Sequence, residues 1–153
     1  MYFFLKSAYL YALTLWVGGI FFFTVVGAPT AFKVLPKEEA GKYTGSVFPK
    51  YFLLGYVFGL TALISFYFLE KGNITVFGWL NLLLLLVMNF LNFVNGFFIV
   101  PKAGLLKAEF YRSGNRDLYD KFKRLHAVSM VLNGAVLLLG LMSVGITAIF
   151  LTF

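Results

Sequence analysis

Cysteine is absent from this 153-residue chain, which removes disulfides, thiolate zinc sites, iron–sulfur clusters and cysteine nucleophiles from consideration. Charge is scarce: 12% of residues are Asp, Glu, Lys or Arg, against 61% that are hydrophobic, a balance outside the soluble globular range. Histidine occurs once, as His126. There is no acid–base pair in the apolar runs, no nucleophile–base–acid triad and no phosphate-binding loop, so no catalytic constellation is legible and a non-enzymatic protein is expected. No internal repeat is evident, which leaves an inverted-repeat transporter unsupported.

Long apolar runs take the place of these features. They cover residues 3–27, 51–69, 76–100 and 127–153, and each is long enough for a helix to cross the roughly 30 Å hydrocarbon core of a bilayer. Four spans and their connections use up the whole chain, so one domain is expected over residues 1–153: an all-α, integral membrane four-helix bundle. Val26-Gly27-Ala28 resembles a signal-peptide cleavage site, but Pro29 follows and the apolar run is too long for a signal sequence, so the first span reads as a retained helix.

The few charges are placed unevenly. The connections 28–50 and 101–126 hold eleven of the thirteen Lys and Arg, and the remainder of the chain holds only Lys6 and Lys71. Positive charge beside spans marks the cytoplasmic side, so both large loops are expected in the cytoplasm and both termini outside, in the bacterial inner (plasma) membrane. The net charge of +7 then reads as a topology signal and a contact for anionic lipid headgroups, not as a nucleic-acid surface. Within the connections, 37–44, 103–112 and the stretch around Leu118, Phe122 and Leu125 are expected to be short amphipathic helices. The last either lies along the headgroups or continues the fourth span. Asp117–Lys121 and Asp120–Arg124 are spaced as i,i+4 ion pairs with the acid first. Pro29 and Pro36 are expected to stop the first helix, Pro49 to open the second span, Gly72-Asn73 to make the outer turn, and Pro101 to end or kink the third span.

Inside the spans the polar residues fall on stripes. The third carries Asn81, Asn89, Asn92 and Asn95 with Met88. The fourth carries His126, Ser129, Met130, Asn133, Gly140 and Thr147. A carboxamide facing lipid would leave several kcal/mol of hydrogen bonding unmet, so both stripes are expected to face the bundle interior. They serve either as interhelical contacts or as a polar pocket built from Asn89, Asn92, Asn95, His126, Ser129 and Asn133. No cofactor is fixed by these residues. His126 with Met130 or Met88 is the only set that could hold haem or soft copper, and Met130, one turn from His126, cannot reach the opposite haem face. Gly55-Tyr-Val-Phe-Gly59 is a GxxxG that permits close helix approach, and Gly18-Gly19 is a second candidate. Trp16 and Trp79 are candidate interfacial anchors.

Leu15-Trp16-Val17-Gly18-Gly19, Ala28-Pro29 and Phe48-Pro49-Lys50-Tyr51-Phe52, followed by Asn95, Pro101 and Phe122-Lys-Arg-Leu-His126-Ala-Val-Ser129-Met130-Val-Leu-Asn133, resemble the transmembrane protein 205-like family, or domain of unknown function 4149. The resemblance implies a four-span membrane protein. A eukaryotic member is associated with drug resistance, which implies export or membrane trafficking. The Trp-Val-Gly-Gly start is also similar to copper-resistance D-type proteins, which place a histidine in the first helix; here there is none. The leading expectation is handling or export of a small solute or resistance compound along the polar face of spans three and four. A redox-associated haem, copper or quinone protein centred on His126, and a small scaffold for a larger partner, are the alternatives. A small-molecule ligand and self-association into a homo-oligomer are the expected partners besides lipid.

The lack of cysteine makes the topology directly measurable. Single cysteines at Lys42 and Arg116 are expected to be shielded from an impermeant thiol reagent in intact cells, while one at Asn73 labels. Labelling of all three from outside contradicts the orientation.

Overall fold

The structure, a computed structural model, describes residues 1–72 and 74–150. It consists of four long helices: α1 (Tyr2–Val34), α2 (Lys37–Glu70), α3 (Val76–Ser113) and α4 (Arg116–Phe150). All four are long and apolar enough to cross a membrane, and no strand occurs among the described residues. Sequential neighbours pack antiparallel and α4 returns to α1, closing an up-down-up-down bundle. Asn73 of the expected outer turn and the end of the fourth span at residue 153 lie outside the described residues.

The connections at the basic end differ in part from the sequence expectation. The stretch around Leu118, Phe122 and Leu125 continues the fourth span, one of the two expected arrangements, but 37–44 and 103–112 are not separate short helices. The spans themselves continue, so that α3, with 38 residues, is about 57 Å long at the standard rise. Only Leu35-Pro36 and Gly114-Asn115 interrupt them. Gly114 takes a left-handed conformation (φ 69°) and its N–H caps the Phe110 carbonyl at 2.9 Å. Asn115 Oδ1 then accepts the Asp117 N–H at 3.0 Å to start α4. The Phe110 and Tyr119 rings close the two extensions, with centroids 4.9 Å apart. Asp120 pairs with Lys123 at 2.7 Å rather than with Arg124, because Lys123 also covers the Tyr119 ring. Asp117 makes no ion pair with Lys121; its backbone N–H serves the cap instead.

Pro36 stops the first helix as expected, whereas Pro29 does not stop α1, and Pro101 does not end α3 but follows a local distortion of it. Each follows a π turn, Phe23–Gly27 in α1 and Asn95–Ile99 in α3. In these turns Ala28 N–H bonds the Phe23 carbonyl and Val100 N–H bonds the Asn95 carbonyl. A proline in a regular helix collides with the carbonyl four residues back. One residue inserted into the preceding turn relieves that conflict and keeps the helix continuous. Pro49 lies inside α2 and does not open it.

The apolar core occupies the half of the bundle nearer the termini. Tyr9, Leu13, Trp16, Leu85, Met88 and Val136 are among its buried members. Trp16 is therefore not an interfacial anchor, whereas Trp79 faces outward. The Gly55–Gly59 face of α2 receives the Trp16 indole from α1 and two asparagines from α3. A methyl on Gly59 would stand 2.5 Å from Asn89 Oδ1 and 2.9 Å from Trp16, and one on Gly55 would stand 2.8 Å from Asn92 Nδ2. Gly18 and Gly19 have open space where a side chain would go, so they do not mediate close approach. In the basic half the packing loosens. The backbone of Val100–Ser113 stays against α4, but hardly meets α2, and Ala28–Val34 stays against α2 but hardly meets α4. The bundle is thus clamped at one end and parted into two hairpins, α1–α2 and α3–α4, at the other.

Gly59→Ala is expected to cost about 1–3 kcal/mol through overpacking against Trp16 and Asn89. Gly134→Ala, where nothing lies within 4 Å, is expected to be neutral or slightly stabilising because alanine favours the helix. Unfolding of both variants in detergent, followed by helicity, checks the contrast.

Candidate functional site

Two polar arrangements occupy the bundle, and they have different characters. Near the terminal end, Tyr9, Asn81, Ser143 and Thr147 form a ring. Asn81 Nδ2 donates to Tyr9 Oη at 2.8 Å, Tyr9 donates to Thr147 Oγ1 at 2.6 Å, Thr147 donates to the Ser143 carbonyl at 2.7 Å, and Ser143 Oγ donates to Asn81 Oδ1 at 2.7 Å. Tyr9 and Thr147 could exchange donor and acceptor in isolation; the commitment of the Thr147 proton to Ser143 fixes the direction. All four residues are buried. Tyr9 and Ser143 were missed by a reading based on asparagine and histidine stripes; a tyrosine hydroxyl in an apolar run was the signal available.

The second arrangement lies in the basic half, where the hairpins part. A cavity of about 350 Å³ is lined by Thr24, Phe48, Asn95, His126, Ser129 and Asn133, among others. A larger one of about 660 Å³ lies between α2 and α3 and reaches Pro49, Phe97, Pro101 and Lys107. Phe32, Thr44, Phe48, Phe52, His126 and Ser129 line both, so the two adjoin and together are called the chamber. Each has a volume in the range of small-molecule sites. The π turns feed it directly: Phe23 and Thr24 come from the first and Asn95 from the second. Phe23, Phe48, Tyr51 and Phe52 form a continuous aromatic group with centroid separations of 5.2–6.3 Å.

The polar groups of the chamber are few. Asn95 donates to the Ser129 carbonyl at 3.0 Å, which fixes its carboxamide, and leaves its Oδ1 buried without a partner. Asn133 accepts from Tyr51 at 2.5 Å and donates to Thr24 Oγ1 at 3.3 Å. His126 is half-buried and stacks on Phe122, centroids 5.7 Å apart.

Of the residues singled out from sequence, Asn95, His126, Ser129, Met130 and Asn133 meet at this chamber. Asn89 and Asn92 do not. Asn89 donates to the carbonyls of Gly59 and Leu85, and Asn92 lies against Gly55 with its Nδ2 unpartnered. Met88 is fully buried in the core against Gly140, and Met130 is more than half exposed. His126 and the two methionines are therefore not gathered into one ligand set, and the described residues contain no group of three His, Asp or Glu placed to hold a metal.

A family described as domain of unknown function DUF4149 matches residues 11–112. The chain is similar to an uncharacterized protein of Aquifex aeolicus (strain VF5), with 39% identity over 121 residues, covering 78% of this chain and 79% of that one. No solved structure matches.

The two arrangements differ in what their asparagines support. Asn81→Leu removes two bonds of a closed ring and is expected to cost about 1–3 kcal/mol. Asn95→Leu forfeits a single bond and is expected to cost clearly less, near the ~0.6 kcal/mol typical of one interhelical hydrogen bond in a membrane. Comparative unfolding in detergent measures the difference.

Proposed function

This chain belongs to the DUF4149 family, and from that premise we propose that it holds a small, largely apolar molecule in the chamber of its basic half, as a binding or export step for a membrane-soluble or resistance compound. The observation that carries the proposal is Asn95 Oδ1. A buried acceptor without a partner costs about 1–3 kcal/mol, and the residue that carries it forms part of the wall of a cavity of ligand size. A ligand with a hydroxyl or amide donor, its body against Phe48 and Phe52, satisfies the acceptor once the carboxamide turns toward the cavity, and fills the apolar space. The ring at the terminal end shuts the bundle there, so the polar face of α3 is not a continuous path.

The proposal includes orientation. The basic end carries eleven of the thirteen Lys and Arg, which supports a cytoplasmic placement in a bacterial inner membrane, with anionic headgroups as its neighbours. The chamber then opens at the cytoplasmic leaflet. The redox alternative is less well supported, since Met130 lies one turn from His126 on the same helix and Met88 is buried in the core away from it.

The test is the melting temperature of the purified protein with and without a panel of apolar and amphipathic compounds. A ligand at a hundred times its Kd stabilises the folded state by about 2.7 kcal/mol. Wild type is expected to shift. Ser129→Leu, which fills both halves of the chamber, and His126→Ala, which strips one wall, are expected to lose the shift; His126→Ala also lowers the ligand-free melting temperature modestly. An undiminished shift in both variants, or a wild type that no compound shifts, overturns the proposal.

A further inference from the structure

We infer that the chamber selects single-chain amphiphiles bearing one carboxylate, with the head at Lys107 and the chain along Phe48 and Phe52. This rests on the chamber being a ligand site and adds the class of ligand. Lys107 lines the larger cavity and is half-buried. Its Nζ crosses from α3 toward α2, where a methyl on Gly41 would stand 2.9 Å from it, and it lies over the Phe122 ring at 5.8 Å. It makes no ion pair among the described residues: nearby Glu38 is engaged by Lys42 at 2.8 Å. A half-buried ammonium that closes no ion pair, although Glu38 is near enough to feel its charge, attracts an anion at the mouth of an apolar chamber more strongly than the same charge in open water.

The chemistry narrows further. One ammonium outside any ion pair matches one negative charge, which a carboxylate supplies and a dianionic phosphate monoester exceeds; a monoanionic phosphodiester matches in charge, and it is the size of the chamber that disfavours the two-chain lipids that carry one. Leu53 and Phe97, on the rim between α2 and α3, are largely exposed, so the cavity opens sideways toward lipid and an acyl chain enters without crossing water. The combined cavities are of drug-like size, which suits one chain rather than a whole two-chain lipid.

The experiment uses the full chain in phosphatidylcholine nanodiscs with nitroxide-labelled stearate and its methyl ester, at alkaline pH, and reads the protein-immobilised fraction by electron paramagnetic resonance. The probes differ only in charge and neither offers a donor to Asn95, so the comparison isolates Lys107. The immobilised fraction is expected to be several-fold higher for the acid than for the ester in wild type. Lys107→Gln brings the acid down to the ester level, Lys107→Arg retains the preference, and Lys121→Gln, at an exposed lysine that lines neither cavity, leaves it intact. Ser129→Leu lowers both probes. Equal binding of acid and ester by wild type, persistence of the acid's excess in Lys107→Gln, or an equal loss in Lys121→Gln overturns the ligand class. If the charge preference is absent while Ser129→Leu still removes binding of both probes, the chamber stands as a site without this selectivity. If Ser129→Leu changes neither probe, the chamber itself fails.

Discussion

Hydrocarbon offers no hydrogen bonds, so polar side chains inside a membrane bundle must find their partners in one another. In this protein that constraint is met by a ring of four residues from three helices, Tyr9, Asn81, Ser143 and Thr147, in which each donates to the next. Such a ring is worth more intact than in pieces, because each bond polarises its neighbour. It sits beside the Trp16–Met88–Val136 core and fixes where α1, α3 and α4 meet. With one end so fixed, the helices are free to part at the other, and the chamber follows from that asymmetry.

The chamber also depends on proline. Pro29 and Pro101 lie at equivalent places in α1 and α3, each just past a π turn. The extra residue in each turn lets the helix pass the proline, and it re-aims the side chains beside it. Thr24 and Asn95 belong to those turns and line the chamber. A backbone conflict in the sequence is thus converted into the position of a buried chamber acceptor that lacks a partner.

The spans and their number were legible because apolar runs of more than about 18 residues have few other readings; the length of the helices that contain them was not. The inward placement of Asn95, His126, Ser129 and Asn133 was legible from helical periodicity. The division of labour among the asparagines was not. Asn89 and Asn95 carry the same carboxamide, but one is consumed by the Gly59 carbonyl and the other is left half-used, and that depends on how closely the backbones approach. Sequence read Pro29 as a break because the usual effect of proline is to break; continuity through a π turn needs the neighbouring helix to hold the distorted turn in place. The helicity of the charged connections was legible, but their continuity with the spans was legible only for the fourth, because charge does not sit in a span although a helix that leaves the membrane can carry it.

That continuation gives the molecule mechanical leverage. α3 is a single rod of about 57 Å by its residue count, pinned near one end by the ring and the core and tied at its far tip to α4 through Phe110 and Tyr119. A tilt of only about 5° about the pinned end carries the tip through roughly 5 Å at that length. The aromatic steps from Tyr119 through Phe122 to His126 run from that tip to the chamber wall, so a displacement at the protein's basic extremity and a change in the width of the cavity are the same motion seen at two radii.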